Sequence, residues 1–208
     1  MKQWLFLLLL FAPILGFADD SKLTELLAHI RQTGPAQYQY QETRQLELAT
    51  SPWQGQGIML TDGNGSLVKL QLQPTRVIMA ITNDSMIYWD PEQDQRHTMP
   101  IDYAGPAAAQ ILVFRSILQG RAEELQPNYN FVAEQHDKHW TLRLTPKAEH
   151  SDDQTAAIEI SGDGDDQQRR IIIRQADGES TEYHIDKALP KQAEAYSIPQ
   201  LLQEATGE

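Results

Sequence analysis

The chain has 208 residues, 17 Lys and Arg against 29 Asp and Glu, a formal charge of −12 and no cysteine. That balance excludes a phosphate-backbone partner, because an acidic surface gains nothing from counterion release, and it disfavours steady adsorption to anionic lipid headgroups. The absence of cysteine excludes disulfides, a thiol nucleophile and a lipid anchor on cysteine, so packing alone holds the fold.

Lys2 precedes an unbroken apolar run from Trp4 to Ala12, and Gly16-Phe17-Ala18 places small residues at cleavage spacing. This pattern predicts a secretory signal peptide over residues 1–18. Pro13 and Gly16 break the run before it reaches the roughly 20 residues of a membrane span. Loss of the leader removes one lysine and no acid, and residues 19–208 are expected to form a single domain outside the cytoplasm.

Leu23, Leu26, Leu27 and Ile30 recur at helical spacing, with Ser21 as the expected cap and Gly34-Pro35 as the stop. Tyr38 and Tyr40 alternate with glutamines, and Leu46 and Leu48 extend the alternation into one long expected strand. Ile58 and Leu60, then Leu67 to Leu72, flank Asp62-Gly63-Asn64-Gly65, a strong hairpin signal. A second hairpin is expected from Val77–Ile81 and Ser85–Trp89 across Thr82-Asn83-Asp84, after which the meander is expected to stop.

From Pro106 to Leu118, the residues Ala107, Ile111, Phe114, Ile117 and Leu118 follow the helical period, and Gly120 fits the exit. Five short strands follow, at Tyr129–Ala133, Trp140–Leu144, Ala156–Ile160, Arg170–Arg174 and Thr181–Ile185. The C-terminal Ser197 to Leu202 reads as an extended piece ending in one helical turn.

The order of these parts resembles the periplasmic lipoprotein carrier family typified by LolA, from Ser21 to about Ile185. Three segments carry the resemblance: Gly55-Gln56-Gly57 opening a strand, Ile87-Tyr88-Trp89-Asp90-Pro91 leading through Glu92 and Gln93 to Gln95, and Trp140 to Thr145 closing on Pro146-Lys147. The resemblance implies a mainly antiparallel β fold with helices (α+β), an incomplete β-barrel wrapped over a helical lid, with an apolar cavity between them that accepts acyl chains. The family's Arg-Pro pair after the Gly-x-Gly strand has no counterpart in Leu60-Thr61-Asp62-Gly63-Asn64-Gly65. Lys69 and Arg76, the nearest cations, lie further on.

Met59, Leu70, Leu72, Met79, Ile81, Met86 and Trp89, with Ile111 and Phe114 of the expected lid, are the residues expected to line that cavity. The same side chains would equally fill an ordinary core. Alternation puts Met79 and Ile81 on one face and Ile78 and Ala80 on the other, without saying which is inward.

The expected function is a periplasmic carrier that moves an acylated protein or lipid from an inner-membrane donor to an outer-membrane acceptor, as a monomer, without catalysis or cofactor. A lipid-sensing envelope regulator of the same fold is the first alternative. An envelope enzyme using His97, His136 or His139 is the second. His136-Asp137-Lys138-His139 reads as an exposed turn, and Asp163, Asp165 and Asp166 lack the Glu that a calcium loop needs at its twelfth position, which is Arg174.

Overall fold

The structure is a computed structural model that describes residues 18–30, 34–103, 113, 115–147, 155–164, 168–187 and 196–207. The leader and most of the expected helix from Pro106, including Ile111 and Phe114, lie outside the described residues, as do Asp165 and Asp166.

Helix α1 (Ala18–Ile30) precedes ten-residue strand β1 (Ala36–Gln45). Strands β2 (Trp53–Thr61), β3 (Leu67–Gln73), β4 (Val77–Ile81), β5 (Ser85–Asp90) and β6 (Gln95–Pro100) continue the chain. After two 3-10 turns come β7 (Tyr129–His136), β8 (His139–Pro146), β9 (Thr155–Asp163), β10 (Gln168–Gln175), β11 (Ser180–Lys187) and helix α2 (Ile198–Thr206). All eleven strands form one antiparallel sheet in the order β6-β5-β4-β3-β2-β1-β11-β10-β9-β8-β7. Consecutive strands are neighbours except where β1 pairs with β11, and β6 and β7 end the sheet, so the barrel is incomplete.

The sheet buries a different core on each face. One face gathers Tyr38 and Tyr40 of β1, Met59 of β2 and the apolar residues of β7 to β11 under Leu26, Leu27 and Ile30 of α1. On the opposite face, Leu60, Val68, Leu70, Ile78, Ala80 and Ile87 pack under Leu201 and Ala205 of α2. Strand alternation sends successive side chains to the two cores, which is why β4 reads as a continuous apolar run.

The hairpin tips are tied down by the segment that follows the undescribed stretch. Asp62 accepts from the N–H groups of Asn64 (2.8 Å) and Ser66 (3.0 Å), and Gly63 takes φ 75° to complete the β2–β3 turn. Residues 115–118 are helical and end in a Schellman arrangement, Arg121 N–H to Ser116 O (2.7 Å) and Gly120 N–H to Ile117 O (3.1 Å). From this helix end Arg115 donates to Gly65 O (3.3 Å) and Thr82 O (3.2 Å), bridging both tips. Ile117 and Leu118 are buried in the first core.

The structure corrects four of the sequence expectations. Ser21 lies inside α1 and does not cap it. Strand β1 ends at Gln45; Leu46 and Leu48 lie beyond it, and Leu48 is 95% exposed. The meander does not stop at Trp89, because β6 pairs with β5 along its whole length. Every residue of β6 is exposed, so it carries no alternation to read. The C-terminal segment is a nine-residue helix: Ser197 Oγ accepts from Gln200 N–H (3.4 Å), Pro199 occupies the first turn, and Gly207 closes the end at φ 80°.

Because α2 covers one core through few side chains, Leu201→Ala should lower stability by about 2–4 kcal/mol in urea unfolding, whereas Gln203→Ala on its exposed side should change it by less than about 0.5 kcal/mol. Equal effects would mean that α2 does not close that core.

Candidate functional site

On the α1 side of the sheet, core packing does not continue to its β6 end. Met59 of β2 is 0% exposed there. Met79 and Met86, on the same face further along, are only half-buried, and Met99 of β6 is 40% exposed. Between them and β10–β11 opens a cavity of about 420 Å³. Its apolar wall comes from Leu67, Met79, Ile81, Met86, Met99 and Ile173, and its polar wall includes Arg44, Lys69, Tyr88, His97, Glu179 and Tyr183. Register makes the wall continuous, since Ile81 faces Met86 across β4–β5 and Met86 faces Met99 across β5–β6.

An ionic cluster lies where β1 passes from core to cavity. Residues 38, 40, 42 and 44 share one face of β1, so two tyrosines, a carboxylate and a guanidinium follow one another toward the opening. The Glu42 side chain is 0% exposed. Its Oε1 accepts from Arg44 Nε (2.6 Å) and from the Tyr183 hydroxyl (3.0 Å), and its Oε2 accepts from Lys69 Nζ. Lys69 Nζ also lies 5.0 Å from the centre of the Tyr40 ring and 5.3 Å from that of Tyr183. The Arg44 guanidinium lies 4.7 Å over the Trp53 ring, its cross-strand neighbour. Gly55 makes room for that ring, because a Cβ there would come within 2.4 Å of it.

Burial pushes the Glu42 carboxyl up, but Lys69 and Arg44 overcome it and hold the group below its ordinary value of 4.5. Burial pulls the Lys69 ammonium down, and Glu42 only partly restores it. Burial, then the Glu42 charge, raises the Tyr183 phenol well above 10.0, which keeps it a donor.

The sequence-predicted lining residues divide between the two faces. Met79, Ile81 and Met86 stand in the cavity wall. Met59 is sealed in the first core. Leu70 packs under α2 with Trp89 at the edge of that core, and Leu72, two residues on from Leu70, is partly exposed, so these three are corrected as lining residues. Ile111 and Phe114 lie outside the described residues. Sequence reasoning missed Glu42 and Arg44, although their spacing of two put both on one strand face. Met99 went unseen with β6.

The histidines do not converge. His97 stacks on Tyr88 (6.2 Å between centres) in the cavity wall, while His136 and His139 flank an exposed turn at the other end of the strand order. Among the described residues no three His, Cys, Asp or Glu gather as a metal ion would need.

No family model and no curated protein matches this chain. The chain is similar to solved structures that include a LolA superfamily protein. One, from Nitrosomonas europaea, shares 12% identity, covering 86% of this chain and 98% of its own, with a TM-score of 0.43. A domain designated an outer membrane lipoprotein-sorting protein, from Vibrio parahaemolyticus, shares 11% identity over 91% of this chain and 98% of its own, with a TM-score of 0.47. A chain of the Pseudomonas aeruginosa MucA/MucB complex shares 14% identity, with 87% of this chain matching 59% of that one at a TM-score of 0.39. At these identities nothing about cargo or partner transfers to this chain.

Removing the shared carboxylate leaves the buried Lys69 unpaired beside the partly exposed Arg44. Glu42→Gln should therefore cost about 3–5 kcal/mol at neutral pH. Because the folded-state pKa of Glu42 is depressed, the stability it confers is complete above the ordinary value of 4.5 and is lost as pH falls through the lower folded value. Urea unfolding from pH 7 to pH 3 should show that acid-dependent component in the native sequence and not in Glu42→Gln. Identical pH profiles would contradict the assignment.

Proposed function

We propose that the chain is a non-catalytic carrier: it shelters acyl chains of a lipid or lipoprotein in the cavity beside β4–β6 and carries them across the periplasm, from an inner-membrane donor toward an outer-membrane acceptor. The observation that carries this reading is the contrast among methionines on one sheet face. Met59 is closed off completely, while Met79, Met86 and Met99 remain partly open around a cavity of about 420 Å³. Small-molecule sites span about 300–1,000 Å³. Unbranched, polarisable thioethers adapt to a flexible chain better than branched side chains do.

Transport follows from the energetics of such a site. Each buried methylene gains about 0.8 kcal/mol, so a long acyl chain held by summed apolar contact leaves slowly unless an acceptor offers equivalent burial. The leader expected at residues 1–18 supports export, and the acidic balance supports a carrier that does not remain on an anionic membrane. No helix among the described residues is long and apolar enough to cross a membrane. The absence of chemistry in this reading is supported by the scatter of His97, His136 and His139 over opposite ends of the sheet.

Polar substitutions on the two sheet faces test the reading. Met79→Asp or Met86→Asp should reduce binding of a fluorescent fatty-acid probe at least tenfold while shifting Tm by only a few degrees, because an open cavity can hydrate the new carboxylate. Ile78→Asp, at a 0% exposed position in the opposite core, should unfold the protein. Loss of stability in step with loss of binding at both methionines would mean that the cavity is ordinary core.

A further inference from the structure

Two cations share one carboxylate at the cavity wall, which leaves one positive charge unmatched. Lys69, from β3, is the more buried partner of Glu42. Arg44 adds a second positive charge, and the trio Glu42, Lys69 and Arg44 carries a net charge of +1 beside an apolar wall. Arg44 is partly exposed, so water solvates that charge until an anion displaces the water. Only Nε of Arg44 is used by Glu42, and the guanidinium plane is held over Trp53. Among the described residues its two Nη groups have no acceptor, and the side chain is 38% exposed in the cavity wall. A guanidinium edge held in that way suits the two oxygens of a carboxylate or phosphate.

Glu179 is the other acid in the wall. It is half-buried at the β10–β11 turn, where its Oε1 accepts from the Glu47 N–H at 3.3 Å, and among the described residues no ion pair joins it to Arg44 or Lys69.

We propose that the cavity selects cargo with an anionic head, a carboxylate or phosphate next to its acyl chain, bound by the free edge of Arg44 with Lys69 behind it. This rests on the carrier reading and adds the chemical class of the cargo. Glu42 then orients both cations as well as neutralising them, because it fixes Nε of one and Nζ of the other, so that the head meets a preformed site.

The test uses probe displacement from the full exported chain at pH 8, with four competitors of equal chain length. Palmitate and palmityl alcohol share the chain and set a charged carboxylate head against an uncharged hydroxyl; palmitoyl lysophosphatidate and monopalmitoylglycerol repeat the comparison for phosphate. The expected result is at least a tenfold preference for one or both anions over the matched neutral compound, the stronger anion identifying the source as free fatty acid or phospholipid. In Arg44→Met, the preference should collapse to within about twofold, with the anions losing far more affinity than their neutral counterparts. A structural role for Arg44 would instead lower all four affinities together, and that result would overturn the proposal. Equal affinities for charged and neutral compounds in the unmodified protein would overturn it without recourse to any variant. Failure of all four compounds to displace or bind would instead overturn the carrier reading beneath it.

Discussion

An open sheet with two apolar faces must cover both, and the arrangement of this molecule follows from how unevenly it does so. Helix α2 closes one face over β2 to β5, and α1 with Ile117 and Leu118 closes the other over β1 and β7 to β11. On that second face, dense packing ends before β6, and the cavity occupies the space beyond it. The two hairpin tips at this boundary are fastened by Arg115, so the wall bearing Met79 and Met86 is held in place by polar bonds to backbone carbonyls in addition to packing.

Strand β1 records the change of environment along a single face. Tyr38 and Tyr40 belong to the dry core, Glu42 is fully buried but ionised, and Arg44 reaches the cavity. A carboxylate in that position is tolerable only because a lysine, an arginine and a phenol meet it together. The same cluster that makes burial of Glu42 possible also aims positive charge at the open space. Stability and recognition are thus coupled through one side chain, and the cation–π contacts of Lys69 with Tyr40 and Tyr183 add to its anchoring.

The strands of both halves were legible where one face is wetted, because alternation marks them; the Asp62 to Gly65 and Thr82 to Asp84 turns were legible because their residues suit tight reversal. Strand β6 was not, since an edge strand with both faces exposed has no periodic signal. The C-terminal helix did carry one, with Ser197 before it, Pro199 in its first turn, Gly207 after it, and Ile198, Leu201, Leu202 and Ala205 at helical spacing. The expectation of an extended Ser197 to Leu202 with a single helical turn left the cap and the first-turn proline unused. Alternation separated Met79 from Ile78, but only tertiary packing decides that Met79 faces the cavity and Ile78 faces α2. For the same reason Leu70 and Trp89, as apolar as any cavity residue, belong to the opposite core. The ionic cluster depends on the β1-β2-β3 order, which brings Lys69 to Glu42 across 27 residues of sequence.

A carrier must hold acyl chains in the space beside Met79, Met86 and Met99 while it works. Native mass spectrometry of the protein purified from its own cell envelope without detergent, followed by organic extraction and identification of what is released, observes that occupancy directly. The expected result is an acylated molecule bound at close to one per protein, released by organic solvent and absent from the same preparation of a cavity variant. Protein recovered fully folded, with the mass of the bare mature chain and no acyl compound in the extract, would contradict a carrier.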